Sequence, residues 1–132
     1  MKTRIVLSCL LVLSISIFSF GFITPTPAKK NIVNRGVVIS NLMNGVNSGN
    51  KGLRMSSAYL LGELKSDEAV IPLMRILKSD GNEESRIMAG LSLLKIRDSR
   101  GLFAIKQAIK FDESERVRKM CSIFYQEYLS KK

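Results

Sequence analysis

The sequence predicts an all-α fold, a short solenoid of about three antiparallel helix pairs preceded by an N-terminal signal segment. Three observations predict it. The chain repeats itself every 32 residues, apolar residues within each repeat recur three and four apart, and no strand signal competes. Arg54, Arg86 and Arg118 mark the period. After each arginine come small residues (Ser57, Ala89, Cys121, then Ala58, Gly90, Ser122) and then large ones (Leu61, Leu93, Tyr125, then Leu64, Ile96, Tyr128). Large residues one helical turn apart make a stripe that faces a core, and the small-residue step in it lets a second helix approach closely. With 132 residues, 45% of them apolar, the chain can bury one such core.

Taken in order, the chain opens on Met1-Lys2-Thr3-Arg4 and an apolar run over residues 5–23, which ends at Thr24-Pro25-Thr26-Pro27-Ala28. This is the pattern of a secretory signal, cut after Ala28 or after Gly21. The competing reading is an uncleaved anchor, because nineteen helical residues reach about 28 Å, close to the ~30 Å hydrocarbon core. Residues 29–35 read as a linker and residues 36–130 as the repeat domain. Residues 36–46 place Val38, Ile39, Leu42 and Met43 on one face and end at Asn47-Ser48-Gly49-Asn50; the second helix of that pair follows from Leu53. Residues 67–78 gather Ala69, Val70, Leu73, Met74 and Leu77, and Asp80-Gly81-Asn82 turns the chain. Residues 99–110 repeat the pattern with Leu102, Ala104, Ile105 and Ile109, and Asp112 with Glu115 has the spacing of a reciprocal N-cap. The pairs span residues 36–65, 67–97 and 99–130, and their short connections force antiparallel neighbours. Val37-Val38-Ile39 is the only β-branched run of note.

Charge and residue inventory narrow the function. Twenty-one Lys plus Arg against eleven Asp plus Glu give +10, and loss of residues 1–28 leaves +8, a balance suited to anionic partners. The absence of histidine removes His-based acid/base catalysis, His-activated nucleophiles and His-ligated metals together. Of the two cysteines only Cys121 lies beyond the signal segment, so an exported domain has no internal disulfide and rests on packing. Cys121 falls in the small-residue column, where a packed, inert thiol is expected. The carboxylates at Asp67-Glu68, Glu83-Glu84, Asp112-Glu113 and Glu115 sit at helix starts, where they favour the positive end of the dipole, and form no acid/base dyad. Gly45, Gly49 and Gly52 lack the Lys-Ser/Thr ending of a phosphate loop. The sequence therefore predicts no enzyme, no cofactor and no metal.

Leu53-Arg54-Met55-Ser56-Ser57-Ala58-Tyr59-Leu60-Leu61-Gly62-Glu63-Leu64, followed by Asp67-Glu68-Ala69-Val70-Ile71-Pro72-Leu73 and Leu77-Lys78-Ser79-Asp80, resembles the short HEAT repeat of the kind also found in phycobilisome lyases. Val117-Arg118-Lys119-Met120-Cys121-Ser122 begins a third copy, so the likeness covers residues 50–129. The first pair fits less well, as a capping copy does. The resemblance implies a right-handed, armadillo-like stack whose second helices line the concave side. It also implies a polar ladder in which a closing Asp and the following Arg join neighbours: Asp80, Arg86, Asp112 and Arg118 form it, while Arg54 lacks its Asp because position 48 is Ser. Lyase activity is not implied, since a fold does not carry a function with it.

One column of the second helices reads Tyr59, Leu91 and Ile123, and the column a turn earlier reads Met55, Ile87 and Lys119. Stacking would line Met55, Tyr59, Ile87, Leu91 and Ile123 into an apolar strip, expected to bind a protein segment; the alternatives are extra core or a homodimer contact. Dispersed cations, Arg75 and Lys78, Lys95 with Arg97 and Arg100, Lys106 and Lys110, Arg116 with Lys119 and the closing Lys131-Lys132, offer a rival surface for anionic lipid or polymer. Nucleic acid is disfavoured by export and by the lack of interleaved exposed aromatics. The expected protein is an exported adaptor of a bacterial envelope, periplasmic, secreted or held to the inner membrane through residues 5–23, with an accessory role beside a lyase as the remaining alternative.

Overall fold

The computed structural model describes residues 34–132, so the expected signal segment, with the cleavage points read for it, lies outside the described residues. The described chain is six α-helices with no strand among them: α1 Arg35–Val46, α2 Lys51–Glu63, α3 Val70–Ser79 led in by a short 3₁₀ turn at Asp67–Ala69, α4 Glu83–Ile96, α5 Ser99–Phe111 and α6 Glu115–Ser130. Most helix starts are set by a short polar side chain that accepts from a free backbone N–H. Asn34 caps α1, Asn50 caps α2, Asn82 caps α4, Asp98 caps α5 and Ser114 caps α6. The last of these corrects the expected reciprocal cap: Asp112 ends α5, and its carboxylate accepts from the Ser114 amide at 2.9 Å, so the helix start falls two residues later.

That turn is used three times. Asn50, Asn82 and Ser114 cap their helices, and the amide of each donates to the side chain two residues earlier, Ser48, Asp80 and Asp112, at 3.1, 2.9 and 2.9 Å. A hydroxyl and two carboxylates thus make one and the same local bend. At the other end, α2 and α4 run into Lys65 and Arg97, whose φ values of 49° and 64° lie in the left-handed region normally left to glycine.

Each helix packs on the next to form pairs α1/α2, α3/α4 and α5/α6. The first helices α1, α3 and α5 also pack on one another in sequence, as do the second helices α2, α4 and α6. Helix α4 has neighbours on both sides and buries the most, including Arg86, Ala89, Leu93 and Leu94. Leu61, Leu73, Leu77, Leu93 and Ile105 are fully or almost fully enclosed, each worth roughly 1.5–3 kcal/mol of transfer free energy. Close approach is made possible by Gly62: a Cβ there would lie 2.8 Å from the Cα of Ser92, so α2 and α4 touch backbone to backbone.

Candidate functional site

The arginine column is the most ordered polar feature. Arg86, 4% exposed, donates through Nε and Nη2 to both carboxylate oxygens of Asp112 at 3.1 Å each, and through Nη1 to the carbonyl of Asp80 at 2.6 Å. Arg54 repeats this one unit earlier, with Asp80 at 2.8 and 3.5 Å and the Ser48 carbonyl at 2.8 Å. Arg118 reaches back to the carbonyls of Asp112 and Glu113 at 2.6 and 3.1 Å. Each arginine therefore pins the main chain of the turn before it, and the first two also hold the carboxylate of the turn after it. The expected pairing of a closing Asp with the arginine six residues on is corrected. Arg54 has a carboxylate, that of Asp80, and Arg118 is the member without a side-chain acid. All five residues of the expected ladder are thereby occupied within the scaffold.

The second helices present a different face. With α2, α4 and α6 side by side in 32-residue register, Met55 and Tyr59, Ile87 and Leu91, and Lys119 and Ile123 fall into neighbouring rows. They are not equally free. Ile87 and Leu91 are half-buried against the core, and Met55 is half-buried. Tyr59 and Ile123 stand 38% and 47% exposed. Tyr59 is also partly roofed by the Lys95 ammonium, 4.7 Å from its ring.

Two rows of charge bracket this apolar belt. Near the N-terminal ends, Glu84 of α4 bonds Lys51 of α2 at 3.0 Å and Arg116 of α6 at 3.4 Å. Hydrogen bonding from Lys51 above all holds its carboxyl at about 2. Near the C-terminal ends, Glu63, Lys95 and Glu127 share one column. Lys95 is bonded to Glu63 and lowers its pKa, while Glu127, also lowered, is held chiefly by Lys131. Such exposed pairs are salt-screened and fix register more than stability. The second row itself, Glu63, Lys95 and Glu127, lines a groove of about 270 Å³ whose other walls include Leu91, Leu94 and Tyr128 and the cations Lys65, Arg97 and Lys131. Arg97 lies 5.5 Å from the Tyr128 ring. Neither charge row nor groove was drawn from the sequence, although the alternating signs of Glu63, Lys95 and Glu127 at 32-residue spacing were a legible signal.

Cys121 is fully buried, and burial, with the charge of Asp112 second, pushes its thiol up to about 12. A thiol held protonated in this way is a poor nucleophile. Among the described residues no three His, Cys, Asp or Glu side chains are grouped as a metal would need, and no helix is long and apolar enough to cross a membrane. No family model matches the chain, and no curated protein matches it.

Proposed function

We propose that this chain is a non-catalytic adaptor: a right-handed, HEAT-like, armadillo-like solenoid that is exported into a bacterial cell envelope and grips a protein segment along the face of its second helices. The observation that carries the reading is the layout of that face, an apolar belt from Met55 to Ile123 bracketed by inter-helix ion pairs, Glu84 with Lys51 and Arg116 at one end and Lys95 with Glu63 at the other. A belt that runs across three helices suits an extended or helical segment laid over it, with side chains entering beside Leu91 and polar contacts supplied by the rim. The buried, protonated thiol and the scaffold role of the arginines support an assignment without catalysis. Export rests on the sequence pattern of residues 1–28.

The test is affinity capture from envelope fractions with the wild type and with Leu91→Ser/Ile123→Ser. The variant is expected to stay folded and to lose the captured protein. Unaltered capture, or cooperative loss of the fold, contradicts the proposal.

A further inference from the structure

The first helices carry a surface that the face just described does not use. On α5, Phe103 and Phe111 are 60% and 75% exposed, and Lys106 and Lys110 lie three and seven positions after Phe103 on the same side of the helix. On α3, which packs directly against α5, Arg75 and Lys78 are exposed as well, and Lys78 stands one 32-residue period before Lys110. None of these four cations has an ion-pair partner among the described residues. Lys106 lies 5.6 Å from the Tyr125 ring, a contact that leaves its charge in place.

The nearby acids are spoken for or face away. Asp80 and Asp112, which close α3 and α5, are held by Arg54 and Arg86. Asp98 is held by Arg100. Asp67 and Glu68 stand at the opposite end of α3. Glu113 is exposed just past Phe111, with one oxygen 3.5 Å from Arg86.

Two exposed phenylalanine rings among uncompensated cations match one environment well. At an anionic bilayer surface the rings enter the acyl boundary, while lysine and arginine stems lie along it and carry their charges up to the phosphates. The chain adds a reason for such a surface to be near. The apolar run of residues 5–23 is separated from Asn34 by ten residues, which extended reach at most about 35 Å. If that run is the membrane-directed segment its sequence pattern predicts, it keeps the domain within that reach of a bilayer for as long as it is attached.

We propose that the α3–α5 face docks on an anionic phospholipid surface, with Phe103 and Phe111 inserted and Arg75, Lys78, Lys106 and Lys110 on lipid phosphates. The second-helix face is then left pointing away from the bilayer and free for a protein partner.

The chain has no tryptophan, so Phe111→Trp in the full chain is a single, local reporter that ignores whatever the N-terminal run does. With vesicles of phosphatidylcholine and phosphatidylglycerol its emission is expected to move to the blue and to be quenched by brominated lipid, and with phosphatidylcholine alone to stay put. Adding Lys106→Gln/Lys110→Gln is expected to weaken the partition roughly thirty-fold, about five-fold per lysine, while circular dichroism stays unchanged. Ile123→Trp on the opposite face is expected to give no shift. The proposal is overturned by no shift at Phe111→Trp, by an equal shift at Ile123→Trp or on neutral vesicles, or by indifference to the lysine changes. It is also overturned by a shift that grows with protein concentration without lipid, which makes the face a contact between two copies of the chain.

Discussion

Replacing the three column arginines one at a time by methionine separates what each does, because their surroundings differ by position in the stack. The side chains of Arg86 and Asp112 are each 5% exposed and meet in a two-pronged pair, with a third bond from Arg86 to the Asp80 carbonyl. Removing one member of such a pair leaves the other charge buried, a loss of about 3–5 kcal/mol. In a domain of this size with about 5–15 kcal/mol to lose, that brings the fold close to failure. Arg54 and Asp80 are 19% and 11% exposed and one prong is stretched to 3.5 Å, so solvent compensates part of the loss and about 1–3 kcal/mol is expected. Arg118 gives up only two bonds to main-chain carbonyls near the surface, worth about 1 kcal/mol. Urea unfolding followed by circular dichroism should therefore rank the variants Arg86→Met, Arg54→Met, Arg118→Met from most to least damaged. Asp112→Asn added to Arg86→Met should recover part of the loss, since the amide needs no counter-charge and keeps the bond to Ser114. Equal losses at the three sites, or no recovery in the double variant, would refute the assignment of these arginines to the scaffold.

Two further outcomes follow from packing and burial. Gly62→Ala should destabilise, because its Cβ meets the Ser92 backbone at 2.8 Å and an overpacking cost of about 1–3 kcal/mol outweighs the ~1 kcal/mol that alanine gains in a helix; Gly81→Ala, with nothing within 4 Å, should be harmless in the same unfolding assay. The folded thiol of Cys121 titrates near 12 against an ordinary value of 9, so it contributes stability that is fully present below pH 9 and lost as pH rises toward 12. Cys121→Ala should therefore show a shallower fall in unfolding free energy than the wild type between about pH 8 and pH 10.5.

Helix content and pairing were legible because the signal is redundant: each repeat restates the same small-residue step and apolar stripe at Ser57, Ala89 and Cys121 and after. The arginine column was legible as a column and not as a set of partners. Asp80 and Arg86 are neighbours in sequence, yet the Asp80 carboxylate turns to its own local bend and to Arg54, and Arg86 meets only its carbonyl. Spacing along a chain does not reveal which side of a turn a carboxylate faces.

Depth of burial was hidden for a related reason. Ile87 and Leu91 share columns with Met55, Tyr59 and Ile123, but α4 has a helix on each side and sinks its residues further than the end pairs do. The exposure of Phe103 and Phe111 is hidden in the same way, since an apolar residue off the main stripe carries no sign in the sequence of what it faces.

The central claim is that the second-helix face is a free surface engaged by another protein, and placing a photo-crosslinking residue there tests it most directly. In cells producing the chain, a crosslinker at Ile123 is expected to trap one discrete partner, and one at Ser40, exposed on α1, to trap none. No adduct at Ile123, or the same adducts from both positions, contradicts the account.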